Sequence, residues 1–294
     1  MSSFDDINSN GALALSATTY PIIFRLMTPT NSTAARFMKS RELISVFHCI
    51  ITLSATLFEL HRQFEKWAPP PRSPLKVLFP WLLDRDTSTA KDSVRGLSYL
   101  DIVDAMPPFT HTILAFECGY LIQDFALLIL GTRRVAGDSR AKSVMARNVN
   151  WRVLGWHHLG IACGLGLFHL RALRGQAKAS LVMLMMMLMN ASTPIGTLHW
   201  YLVNFHRSWR SGVCITYGAY LATYAVARVY LLYWILSIYG SWTGQSAIEA
   251  FRHLRWQCQL GTGIMGTTNT FWLLIGLRKF IKQYLTSYNT KRTH

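Results

Sequence analysis

The apolar residues of this chain come in long blocks, at 43–60, 112–131, 153–170, 179–205, 212–241 and 259–277. Crossing a hydrocarbon core as helix takes roughly 17–25 apolar residues, so every block is long enough. Inside lipid the backbone must satisfy its own N–H and C=O groups, which leaves helices and closed barrels. A membrane β-barrel alternates apolar and polar positions in short segments, and these blocks do not alternate. The predicted fold class is therefore all-α: a polytopic transmembrane bundle or barrel of six spans. A weaker apolar stretch, 11–27, contains Pro21 and Arg25. It is read as an interfacial or re-entrant helix, or as a seventh span.

The connections between blocks are short except the first, 65–108. That one carries Pro69-Pro70-Pro71 and Pro74, then an apolar patch at 75–83 around Pro80. Its Phe79, Trp81, Lys76 and Arg85 suit a membrane interface. No internal repeat and no separate soluble domain is visible. The predicted organisation is an N-terminal segment at 1–40, a transmembrane domain at 41–284 and a basic tail at 285–294.

Composition agrees with the pattern. Only 15% of the 294 residues are charged, against about a quarter in soluble domains. The net charge of +16 would also suit a nucleic-acid partner, but the sequence holds no recognition-helix, zinc-finger or RNA-binding sheet signature. The basic residues sit between the blocks, where membrane proteins carry them. With six spans, 17 Lys and Arg fall on the side of the two termini and 12 on the other. That bias puts both termini in the cytosol; a seventh span would move the N-terminus across. The opening residues include Asp5 and Asp6 and lack the basic region and cleavage site of a secretory signal. Insertion is thus expected to be driven by the first span. The five cysteines form no CxxC pair, and four lie inside apolar blocks. They read as small core residues, with no disulfide framework and no metal site.

Polar residues inside the blocks carry the candidate chemistry, because a charge at the bilayer centre costs roughly 2.5–3.5 kcal/mol on the insertion scale. In the second block Glu117, Tyr120 and Asp124 are spaced i, i+3, i+7, on one helical face. The third holds Trp156-His157-His158, with His169 three turns beyond His158. Two adjacent histidines cannot point the same way, so at least one meets another helix or a cavity. Zinc is not favoured, since no third ligand lies at ligand spacing on that helix. The fourth block holds Asn190, Thr193 and Pro194, then Thr197, His199 and Asn204; Pro194 frees a carbonyl and bends the helix. In the fifth, Tyr217, Tyr220 and Tyr224 run down one face to Arg228, the basic residue inside a block, whose expected partner is Asp124, Glu117 or a lipid headgroup. The sixth offers Asn269 and Trp272 on one face, and the first offers His48. Polar or aromatic stripes on five blocks, with His48 on the first, predict a ring of helices around a partly polar internal cavity.

The order of these residues resembles the TLC domain. The similarity is carried by Arg41, Ser45 and His48, by Gly119-Tyr120 with Asp124, and by Trp156-His157-His158. Ser192-Thr193-Pro194 followed by His199-Trp200-Tyr201, and Asn269 with Trp272, complete it over 41–284. The domain is shared by ceramide synthases and other membrane proteins. The resemblance implies a helical barrel, usually in the endoplasmic reticulum, enclosing a lipid-sized cavity. In ceramide synthases the paired histidines are catalytic, which would place that role on His157 and His158. The synthases carry a pair of aspartates on the next helix. Here the corresponding stretch, 189–194, has no carboxylate, and Asn190 stands where other branches of the family commonly carry an acidic residue. The sequence thus looks more like the non-synthase branch.

The function expected first is a membrane protein that binds or handles a lipid or acyl chain in an intramembrane cavity, acting in lipid homeostasis. Its partner is membrane lipid, and it needs no cofactor. The alternative is an acyltransferase with His157 or His158 as general base and acyl-CoA as co-substrate. A scaffold, whose polar stripes only join helices, is the third class.

Overall fold

The computed structural model of the chain describes residues 3–29, 33–67, 105–135, 151–206 and 208–282. Among the described residues there is no strand. The helices are α1 (Ser3–Met27), α2 (Ala34–Trp67), α3 (Pro108–Val135), α4 (Trp151–Leu173), α5 (Ser180–Met186), α6 (Thr193–Phe205), α7 (Arg210–Tyr224), α8 (Leu231–Thr243), α9 (Ala247–His253) and α10 (Trp256–Phe280). A 3-10 segment, Met187–Ser192, joins α5 to α6, and a π-helical segment, Ala225–Tyr230, joins α7 to α8. Most of the expected interfacial connection at 65–108, and the tail at 285–294, lie outside the described residues.

Five stretches are long and apolar enough to cross a membrane: Ala35–Gln63, Pro108–Gly131, Val153–Leu173, Ser180–Phe205 and Arg210–Gly240. They coincide with the first five predicted spans. The sixth predicted span lies within α10, which is 25 residues long. Its glycines, threonines and glutamines dilute the apolar character, so it is not one of the five. The chain is an all-α, multi-pass membrane protein.

Helix α2 is central because it is two-faced. Arg41, Ser45, His48, Thr52, Thr56 and Glu59 recur at the spacing of one helical face and are all buried. Leu43, Phe47, Ile50, Leu57 and Phe58 point outward and are exposed. In water this would be an inverted helix. In lipid it is the expected arrangement: apolar side chains gain nothing by leaving hydrocarbon, whereas polar ones must find partners inside.

Helix α1 follows α3 in parallel. Asn10 meets His169 at one end, Ser16 donates to the Phe116 carbonyl (2.7 Å) midway, and Thr28 lies near Phe37 and Leu130 at the other. Gly119 permits the close approach, since a Cβ there would meet the Leu13 carbonyl oxygen at 2.6 Å and collide with Ser16 Oγ. The stretch read as interfacial, re-entrant or spanning therefore packs closely along α3.

Pro194 sits in the first turn of α6, where a missing N–H is tolerated. The turn before it tightens to 3-10, so the expected bend becomes a change of helix type.

Candidate functional site

The carboxylates of α3 are met from α2 and α4. Arg41 grips Asp124 with both arms, Nε to Oδ1 at 2.7 Å and Nη2 to Oδ2 at 2.6 Å. Such a fork-to-fork pair is the strongest geometry available to a guanidinium. Its remaining arm, Nη1, donates to Glu42 Oε1, and Glu42 Oε2 accepts from Thr197 of α6 (3.0 Å). From the other side His158 Nδ1 lies 2.7 Å from Asp124 Oδ2, at ion-pair distance but without the alignment of a hydrogen bond. Asp124 is 1% exposed and Arg41 4%. His158 is only half-buried.

Two turns along α3, Glu117 forms a second centre. His48 Nε2 lies 2.7 Å from Glu117 Oε2, and Thr52 Oγ1 lies 3.1 Å from the same nitrogen. His48 Nδ1 lies 2.9 Å from the Tyr20 hydroxyl, and Asn190 Nδ2 donates to Glu117 Oε1 (3.2 Å). The His48 ring stacks on Tyr120, centroids 3.7 Å apart. If Nε2–H donates to Glu117, then Nδ1 accepts from Tyr20, giving a relay from α1 through α2 to α3. His48 is fully buried. A carboxylate–histidine pair at this depth survives only because its lone pairs and protons are shared out.

The third group lies across the 3-10 segment. Arg228 donates from Nε to Ser192 Oγ (2.9 Å) and lies over the Tyr224 ring. Tyr224 OH donates to Asn269 Oδ1 (2.9 Å), and Asn269 Nδ2 donates to the Arg228 carbonyl (3.4 Å). That carbonyl belongs to the π-helical segment, and such turns often mark functional positions. The expected ion pair of Arg228 with Asp124 or Glu117 does not form, because Arg41 and His48 already occupy those carboxylates. Arg228 instead neighbours a hydroxyl and an aromatic face.

The structure sets His158 beside Asp124 and gathers His48, Tyr120 and Asn190 about Glu117, two turns away on the same helix. Asn190 and Ser192, on one short segment, tie Glu117 to Arg228. His157 points elsewhere, toward Trp272 of α10, centroids 6.2 Å apart. Trp272 lies one turn from Asn269, so His157 and Arg228 approach the same face of α10. Thr193 and Pro194 border this region, half-buried.

The remaining candidates fall into helix joints. Tyr217 stacks on His199 (4.6 Å) and donates to the Gly276 carbonyl (3.2 Å), and Tyr220 lies across Gly196. His169 is remote, with Nε2 3.0 Å from Asn10 Oδ1.

Arg41 was missed as a site residue because the first apolar block begins two positions after it. Tyr20 was missed because it lies in the weakest apolar stretch. The available signal was the stripe from Arg41 to Glu59, which also carries a third buried group: Glu59 Oε1 accepts from Gln63 (2.6 Å) and Thr110 (3.4 Å). Among the described residues no group of three His, Cys, Asp or Glu side chains could hold a metal ion.

The sequence matches the TLC domain family over residues 87–278, and the chain belongs to that family. Comparison with curated proteins and with solved structures gave no match. Helices α1 and α2 precede the matched region, yet they supply Tyr20, Arg41 and His48. The carboxylates of the matched region are completed by residues from outside it.

Proposed function

We propose that this chain binds or handles an acyl lipid between its helices, with its polar part received beside His158 and Asp124, and that it acts in membrane lipid homeostasis. The observation that carries this reading is the contrast between Asp124, buried and held by Arg41, and His158, which lies against it with 15% of its side chain exposed. With Nδ1 turned against Asp124, Nε2 of His158 is the ring atom left for a ligand hydroxyl, amide or ester. The half-buried His157, Asn190, Thr193 and Arg228 offer further donors and acceptors nearby. Ligand sites in membrane bundles are built in this way, from a few convergent polar groups among apolar walls. The endoplasmic reticulum is the expected location. The four basic residues of 1–41 (Arg25, Arg36, Lys39 and Arg41) cluster at the end of α1 and the start of α2. The charge bias that places this end in the cytosol therefore holds whether or not α1 crosses the membrane.

The Asp124–His158 contact also favours an acyltransferase as the second reading. In that case Nε2 of His158 takes the proton of an amine or hydroxyl as it attacks the thioester carbonyl of acyl-CoA. The C–S bond breaks, coenzyme A leaves as thiolate, and the proton passes to its sulfur.

One experiment separates the readings. The protein is purified in mild detergent, its bound lipids are identified by mass spectrometry, and labelled acyl-CoA is supplied with amine and alcohol acceptors. Bound acyl lipid without turnover supports handling. Turnover lost in His158→Ala supports the transferase. Neither lipid nor turnover would refute both.

A further inference from the structure

A groove of about 820 Å³ opens between α1, α2 and α3, away from the Asp124–His158 centre. Phe24, Phe37, Leu127 and Leu130 give it an apolar floor, and Arg25 stands at its edge. No Asp or Glu lines it. Two polar groups in its wall have no hydrogen-bond partner among the described residues: both side-chain atoms of Gln123, which is 5% exposed, and the hydroxyl of Thr28. A buried carboxamide without hydrogen bonds is costly, and this one lines the groove rather than a helix joint.

The groove extends along α1 from Ala17 to Thr28. At 1.5 Å per residue that is roughly 16 Å, about half of a 30 Å hydrocarbon core and so the depth of one leaflet. The end carrying Arg25 is basic. Arg36 donates from Nε to the Met27 carbonyl (3.0 Å) there, and Lys39 lies one turn further on.

We infer that this groove is a binding site for an anionic glycerophospholipid. Arg25 with Thr28 receives the phosphate, the glycerol esters lie beside Phe24 and Leu127, and one acyl chain runs on along the groove toward Ile122 and Ala17. The site is independent of the lipid reading given above, because Gln123 faces α1 whereas Asp124 faces α2 and α4.

The test uses the full chain, delipidated in detergent, incubated with liposomes of equal phosphatidylglycerol and phosphatidylcholine, and examined by native mass spectrometry. Wild type is expected to retain phosphatidylglycerol over phosphatidylcholine. Ala126→Phe, at an exposed position in the groove, is expected to cut retained phospholipid by about fivefold or more, and Arg25→Gln to abolish the anionic preference. Equal retention of both lipids by wild type would overturn the proposal. So would wild-type retention by Ala126→Phe, or a co-purifying polypeptide in place of lipid. Should Ala126→Phe fail to fold, Arg25→Gln decides alone, since that side chain is exposed.

Discussion

Arg41 and Asp124 lie 83 positions apart and meet through two parallel hydrogen bonds in the middle of the bundle. A pair of this kind holds two charges that neither lipid nor protein would tolerate alone. Removing one partner strands the other, which in buried pairs costs roughly 3–5 kcal/mol. Arg41→Gln and Asp124→Asn are each expected to unfold readily in bicelles. The double variant Arg41→Met/Asp124→Leu is expected to recover much of the loss. Chemical unfolding followed by tryptophan fluorescence reads this directly, and additive single losses would contradict it.

The contact of Tyr20 with His48 ties α1 to the interior. Tyr20→Phe keeps the ring packing against Phe116 and Tyr120 and removes one hydrogen bond, worth about 1 kcal/mol. His48→Ala should cost clearly more, because Glu117 then loses its principal partner. Thermal unfolding of the two variants is expected to rank them in that order.

Gly119 sets the distance between α1 and α3. Gly119→Val places a branched side chain against the Leu13 carbonyl and Ser16 Oγ. The expected loss is about 1–3 kcal/mol, as for other overpacked sites, with α1 becoming accessible to protease. Gly160→Ala, where a Cβ meets open space, is expected to leave both unchanged.

Much of this was legible because blocks and stripes are local. The first five spans, the inward carboxylate face of α3 and the separate directions of His157 and His158 follow from spacing alone. Pairing is not local. Nothing in the spacing of Arg228 says that Asp124 will be taken by Arg41 instead, or that the tyrosines on its face will meet α6 and α10. Helix α1 was the hardest element to read, since its value to the fold rests on Gly119, a hundred residues away, rather than on its own modest hydropathy.

At the start of α9, Ser246 and Glu249 form a reciprocal cap. The Ser246 N–H donates to Glu249 Oε2 (2.8 Å), and the Glu249 N–H donates to Ser246 Oγ (3.3 Å). The bonds from the Ser246 backbone and side chain hold the Glu249 carboxyl below its ordinary value. A depressed carboxylate stabilises the folded form above its unfolded pKa and loses that contribution as pH falls through the folded one. Protection of the α9 amides from hydrogen exchange, taken relative to their intrinsic rates, is therefore expected to fall at pH values below the usual glutamate range. Ser246→Ala is expected to weaken this pH dependence and to raise exchange at neutral pH.

The most direct test of the proposed function is where an acyl lipid touches the chain. A photoactivatable phospholipid carrying its diazirine near the headgroup is cross-linked to the purified protein and the labelled peptides are mapped. Label is expected on α4 around His158 and on the segment from Asn190 to Thr193, reduced by His158→Ala. Label confined to outward residues such as Leu167, Ile215 and Leu274, unchanged in His158→Ala, would contradict lipid handling at this centre.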